Sequence, residues 1–190
     1  MNVVPLPIAG AFVLDPVVRP DARGEFFELF KGSAFREATG HELVVAQTNV
    51  SVNRMGAVRG IHYADVPPGQ AKLVACLHGA VLDVIVDLRV GSPTFGAVET
   101  VRLDDATRRT VYLAEGLGHG FCALTEGAVV AYHVSSEYNP SAEHGVDPLD
   151  PELAIAWPDA APPILSEKDT AAPSLAEALA AGALPVWQAP

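Results

Sequence analysis

Residues 73–88 read LVACLHGAVLDVIVDL, a long and nearly apolar stretch. His78, Asp83 and Asp87 interrupt it, so it lacks the roughly 18 uninterrupted apolar residues of a membrane helix. His78-Gly79 is a turn signal. It divides the run into two strands, Lys72–Leu77 and Val81–Leu88. The second alternates: Leu82, Val84, Val86 and Leu88 share one face, and Asp83, Ile85 and Asp87 share the other. Pattern alone leans toward aspartates facing solvent. The competing reading is a polar barrel lumen, in which inward carboxylates need His or Arg partners.

Working outward, the same punctuation recurs. Strands are expected at Ala11–Leu14, Phe26–Phe30, Leu43–Ser51, Val58–Tyr63, Glu99–Leu103, Arg109–Leu113, Gly120–Leu124 and Ala128–Ser135. Breakers such as Pro67-Pro68-Gly69, Gly91-Ser92-Pro93 and Glu126-Gly127 separate them. Roughly ten short strands at this spacing predict an all-β barrel or jelly roll rather than alternating β and α units. Helices are few. One is expected over 33–39, capped by Ser33 and stopped by Gly40. Ser174-Leu175-Ala176-Glu177 reads as a capping box, with Gly182 and Pro185 ending that segment, a helical tail from about residue 170 on a single domain spanning 1–190.

The chain has 190 residues, 49% of them hydrophobic, enough for one domain with a real core. Lys+Arg number 12 against 23 Asp+Glu, a net charge of -11, which argues against nucleic acid and against an anionic membrane surface. An anionic ligand must therefore be met by a few placed cations. Cys76 and Cys122, each in an apolar run, read as buried reduced thiols rather than a disulfide. The N-terminus lacks the basic region of a signal peptide, which points to a cytoplasmic protein. No P-loop, dinucleotide-binding glycine motif or nucleophile-elbow serine occurs in a strand-to-helix context.

Three clusters could carry chemistry. Arg59-Gly60-Ile61-His62-Tyr63, with Gln70-Ala71-Lys72, sets a cation, an imidazole and an amine on adjacent strands. Glu115-Gly116-Leu117-Gly118-His119-Gly120-Phe121 flanks a histidine with glycines, either a plain turn or a close backbone approach. Tyr132 and Tyr138 form the third, although periodicity alone makes a strand tyrosine a core residue. A barrel metal site wants H-x-H and a carboxylate; here Tyr63 and Ala64 follow His62, and His78, His119 and His133 are scattered, so no metal is expected.

At these clusters the chain resembles the dTDP-4-dehydrorhamnose 3,5-epimerase family, which has a cupin-type jelly-roll fold. The resemblance runs from about residue 3 to 187. It rests on DARGEFFELF (21–30), AQTNVSVNRMGAVRGIHY (46–63), PPGQAKLVACLHGAVLDVIVDLRVGSPTFG (67–96), VYLAEGLGHGFCAL (111–124), YHVSSEYNP (132–140) and LSEKD (165–169). It implies an isomerase acting on a dTDP-4-keto-6-deoxyhexose at carbon 3, carbon 5 or both, as a homodimer and without a cofactor. Carried over position by position, His62 resembles the general base, Asp169 the carboxylate behind it, Tyr132 the acid on the opposite face and Lys72 the cation beside the enolate. His119 resembles a pocket residue with Asp83 as its inward neighbour. Arg23, Glu28, Gln47, Asn49, Arg59, Glu143 and Lys168 resemble substrate contacts, and Phe26 and Tyr138 resemble residues packed around the thymidine. In the family some of these come from the partner subunit.

The chemistry suits the residue types. A ketone at carbon 4 acidifies carbons 3 and 5, because the carbanion is an enolate. A base with a pKa near ~7 removes such a proton, and histidine, ordinarily at ~6.5, qualifies beside a carboxylate. Tyrosine, ordinarily at ~10, is protonated and can donate. Arg23 and Arg59 suit a diphosphate. Two positions depart from the family pattern: Ala64 stands where glutamine commonly follows RGLHY, and Asp147–Pro151 lacks the tryptophan common before the D-P pair. These departures bear on which carbon is inverted, and a mono-epimerase of an antibiotic deoxysugar pathway is the alternative within the family. A non-catalytic cupin-like sugar-binding module ranks last, since His62, Asp169 and Tyr132 are all retained.

Overall fold

The computed structural model describes residues 1–159 and 162–189. Among these residues, thirteen strands form two main antiparallel sheets and one small hairpin. In chain order they are β1 (Asn2–Pro5), β2 (Ala11–Asp15), β3 (Arg19–Asp21), β4 (Gly24–Phe26), β5 (Gln47–Asn53), β6 (Val58–Ala64), β7 (Lys72–His78), β8 (Ala80–Asp87), β9 (Val98–Asp104), β10 (Thr110–Leu113), β11 (Leu117–Ala123), β12 (Ala128–Val134) and β13 (Glu143–Gly145). Three short helices join them: α1 (Gly32–Thr39), α2 (Glu167–Thr170) and α3 (Leu175–Ala180). One sheet runs β1-β2-β10-β7-β12-β5 and the other β13-β6-β11-β8-β9, while β3 and β4 pair with each other. This is the expected all-β, cupin-type jelly roll.

Inward side chains of both sheets meet in one core. Val74, Val111, Leu113 and Val130 come from the first sheet, and Val81, Ile85, Leu117 and Phe121 from the second. The outer face of the second sheet is covered by the C-terminal segment, where Val84, Val86 and Leu88 pack on Leu153, Leu175 and Leu184. α3 opens with the expected capping box between Ser174 and Glu177. α1 covers part of the first sheet, with Phe35 wholly buried against Tyr112, ring centroids 4.6 Å apart. Gly40 stops α1 in the left-handed conformation, as expected. Val50 (61% exposed) and Val52 (70%) on β5 are left uncovered.

Several expectations need correction. Asp83 and Asp87 face inward and are fully buried, because each finds partners. Asp87 accepts from Arg89 Nε at 2.7 Å, Ser92 Oγ at 2.6 Å and Thr94 Oγ1 at 2.7 Å; Asp83 pairs with His119. Phe26–Phe30 is not a strand: β4 ends at Phe26, and Phe30 turns in against Phe35 with ring centroids 5.6 Å apart. Ser33 is not the cap of α1; it lies inside the helix, which begins after Lys31 without a side-chain cap. β5 starts only at Gln47, and β11 starts earlier than expected, at Leu117. The glycines of β11 are not turn formers: a Cβ at Gly118 would come within 2.7 Å of Ile61 and Leu88, so this strand needs their absence of side chain to lie flat between its neighbours. β1, β3, β4 and β13 are edge or hairpin strands of three or four residues, too short to show a period.

Candidate active site

One cavity of about 270 Å³ opens between the two sheets. β6 contributes Arg59 and His62, β7 Lys72, β11 His119 and Phe121, β12 Tyr132, β5 Gln47 and Asn49, and β13 Glu143; Gln70, Tyr138 and Lys168 complete the wall. Arg59 and His62 lie three apart in sequence, whereas simple alternation would put them on opposite faces. The β6–β11 pairing resolves this, because its register shifts between His119 (opposite His62) and Phe121 (opposite Arg59). Gly60 sits in that irregularity with φ +125°, and a Cβ there would lie 2.5 Å from the Gly120 Cα. Glycine is therefore required for both side chains to reach the cavity.

His62 Nε2 donates to Asp169 Oδ1 at 2.6 Å across 107 residues of sequence. Asp169 is placed by α2: the Ser166 hydroxyl caps the turn by accepting from the Asp169 amide at 3.1 Å. Burial pushes the Asp169 carboxyl up, but hydrogen bonds and charge from His62, together with Ser166 and the Gly60 amide, hold it below the usual carboxylate range. Asp169 is thus an anion at neutral pH, and with Nε2 engaged, Nδ1 is the imidazole nitrogen left free of a carboxylate.

Lys72 is only 7% exposed, and its Nζ lies 3.5 Å from the His62 carbonyl. Burial lowers its ammonium to about 8, against the pull of Glu143 and Asp83, which favour the charge. Tyr132 is raised from the ordinary phenol value, chiefly by burial, with Arg59 opposing and Glu143 assisting. It is half-buried, packing against the core as periodicity favoured and lining the cavity as well. His119 Nε2 meets Asp83 Oδ2 at 2.8 Å, while Asp83 Oδ1 has no partner. Gln47 donates to Asn49 Oδ1 at 2.7 Å and accepts from the Tyr138 amide at 2.9 Å, tying the 135–142 loop to β5. Three cations, Arg59, Lys72 and Lys168, face one carboxylate, Glu143, in a chain whose net charge is -11. The cavity is a local reversal of the protein's field and suits an anionic ligand.

Ten of the candidate residues read from the sequence line this cavity: His62, Lys72, Tyr132, Gln47, Asn49, Arg59, His119, Tyr138, Glu143 and Lys168. Asp169 stands directly behind His62. Arg23, Phe26 and Glu28 do not join them. Phe26 and Glu28 border a separate hollow with Met1, Val17 and Arg19, and Arg23 lies on the exposed hairpin in an ion pair with Asp21. Gln70 and Phe121 are wall residues that the sequence reading left out, although both stand inside its motifs. Ala64 pairs with Glu143 across β6 and β13, at the cavity's rim. The Asp147–Pro151 segment stays outside the wall; Pro148 accepts from the Trp157 indole at 2.7 Å and Asp150 from the Leu175 amide at 2.6 Å. Among the described residues no cluster of three or more metal-ligating side chains occurs.

The model of the dTDP-4-dehydrorhamnose 3,5-epimerase family matches residues 5–177. A dTDP-4-dehydrorhamnose 3-epimerase of Streptomyces niveus is 54% identical, over 98% of this chain and 90% of its own. A dTDP-4-dehydrorhamnose 3,5-epimerase of Mycolicibacterium smegmatis is 53% identical, over 96% and 90%. The crystal structure of a 4-keto-6-deoxy sugar epimerase from the novobiocin gene cluster of Streptomyces spheroides superposes with a TM-score of 0.96 at 55% identity, covering 98% of this chain and 94% of that one.

Proposed function

The chain belongs to the dTDP-4-dehydrorhamnose 3,5-epimerase family, and from that premise we propose that it inverts a dTDP-4-keto-6-deoxyhexose at both carbon 3 and carbon 5 through the side chains of this one cavity. His62 Nδ1 takes the proton alpha to the ketone. The imidazolium so formed is stabilised by the Asp169 carboxylate at 2.6 Å. The electron pair moves onto the ketone oxygen, where the buried Lys72 ammonium meets the developing charge, an effect worth about 10²–10³ in rate. Tyr132, kept protonated by its raised pKa, returns a proton to the opposite face of the same carbon, and the configuration inverts. One ketone acidifies both neighbouring carbons; once His62 has released its proton to solvent and Tyr132 has regained one, a ring flip lets the same pair serve each. The observation that carries this reading is the convergence of His62, Lys72 and Tyr132 from three strands on one cavity, with Asp169 behind the base.

Inversion at carbon 3 alone is the second reading. It is favoured by the 3-epimerase relative, as similar to this chain as the double epimerase, and by Ala64 beside Glu143. Incubation with dTDP-4-keto-6-deoxyglucose in deuterium oxide, followed by NMR, separates the two. Deuterium and inversion at both carbons are expected; label confined to one carbon establishes a mono-epimerase. A homodimer in the cytoplasm completes the proposal. The uncovered Val50 and Val52 give a second copy an apolar seat, and the exposed hairpin with Arg23 and Phe26 (65% exposed), followed by Glu28, is read as reaching into that copy's cavity. Two free, buried thiols suit a reducing compartment.

A further inference from the structure

Arg59 is held in an unusual way for this chain. Of the nine arginines, six sit in ion pairs with a carboxylate among the described residues. The Arg59 side chain instead has, among the described residues, a single hydrogen-bond partner, the neutral amide of Asn53, whose Oδ1 accepts from Nε at 2.8 Å. Asn53 ends β5, is 2% exposed and is not among the residues lining the candidate site. Its Nδ2 donates to the Ala128 carbonyl at 3.0 Å and to Ser51 Oγ at 3.1 Å. That network fixes the amide's orientation, because the flipped rotamer would set oxygen against oxygen and an amine against the guanidinium. An asparagine anchored in one sheet thereby grips an arginine of the other.

We propose that Asn53 is a positioning residue that aims the Arg59 guanidinium at the diphosphate of the nucleotide-sugar, an inference resting on the substrate class proposed above. The Nε grip freezes a long side chain before the ligand arrives, so less conformational freedom is lost on binding. A neutral acceptor also leaves the positive charge whole, with both terminal nitrogens free for phosphate oxygens, whereas a carboxylate there would cancel it. The influence of Arg59 on the buried Tyr132 hydroxyl accords with a guanidinium turned into the cavity.

The test uses dTDP as the probe, its Kd read by calorimetry, alongside kcat and KM with dTDP-4-keto-6-deoxyglucose. Asn53→Ala is expected to weaken dTDP and raise KM about tenfold, with kcat within about twofold of wild type. Asn53→Asp, nearly isosteric, is expected to weaken dTDP as much by neutralising Arg59. In an Arg59→Ala background, Asn53→Ala is expected to change Kd by less than about twofold, since the residue it positions is gone. A full tenfold loss in that background reveals a merely structural role and overturns the proposal, as does wild-type affinity in Asn53→Ala or a fall in kcat at constant KM. If circular dichroism shows Asn53→Ala unfolded, Asn53→Asp decides, and wild-type dTDP affinity in it overturns the proposal. Failure of the wild-type protein to bind dTDP is a different result; it removes the nucleotide-sugar reading itself and this inference with it.

Discussion

Replacing Lys72 with methionine should make the protein more stable and nearly inactive. The side chain is 7% exposed, and burial lowers its ammonium from 10.5 to about 8. At about 1.4 kcal/mol for each tenfold change, keeping that group charged at pH 7 costs the fold about 3 kcal/mol. The sign follows from the proton count. Between pH 8 and 10.5 the unfolded chain holds the proton and the folded chain has released it, so wild-type stability rises with pH through that window. Below about 8 the penalty is fully present. Lys72→Met removes it, while depriving Asp83 and Glu143 of a nearby cation, so the net gain at pH 7 is about 1–3 kcal/mol. For a chain of this length that is roughly 2–12 °C in Tm. The advantage over wild type should shrink as the pH is raised from 8 toward 10.5. Loss of the enolate's cation should lower kcat about 10²–10³-fold. Thermal melts of both proteins at several pH values, paired with turnover, check this. A variant no more stable than wild type at pH 7 would refute the account of Lys72 as a strained, buried charge; a variant with near-wild-type kcat would refute its role at the enolate.

His62→Ala should lower turnover by about 10²–10⁴ with an unchanged circular dichroism spectrum. Asp169→Asn should also slow the enzyme, because the imidazolium loses its counter-charge; full activity in that variant removes Asp169 from the pair. Wild-type activity should decline as the pH rises through about 8, when the Lys72 ammonium loses its proton. In Glu143→Gln this alkaline limb should move to lower pH, since one of the two carboxylates that favour the charge is gone, and an unmoved limb contradicts the assignment. Tyr132→Phe should still exchange a carbon-bound proton for deuterium, because His62 remains, yet fail to invert; inverted product by NMR would show that another group is the acid.

The sequence by itself carried the strand-and-turn rhythm and the candidate site residues. A period of two and breakers such as His78-Gly79 are local properties, legible without a fold. The motifs around His62, Lys72, His119, Tyr132 and Asp169 resembled a known family, and fourteen candidate residues were thereby named before any geometry, ten of which line the cavity. Tertiary structure decided what depends on partners distant in the chain. Asp83 and Asp87 looked like a solvent face, and only His119 and the Arg89–Ser92–Thr94 group make their burial tolerable. Arg59 and His62 share a face because β6 shifts register against β11 at Gly60, and alternation within one strand cannot show a shift in its pairing. The one-turn helix that delivers Asp169 to His62 is too short to have a period, and the grip of Asn53 on Arg59 joins two sheets through a residue that stood inside the 46–63 motif without being singled out. Placement of Arg23, Phe26 and Glu28 outside the cavity was equally invisible, because a hairpin's sequence fixes its turn but not which cavity it reaches.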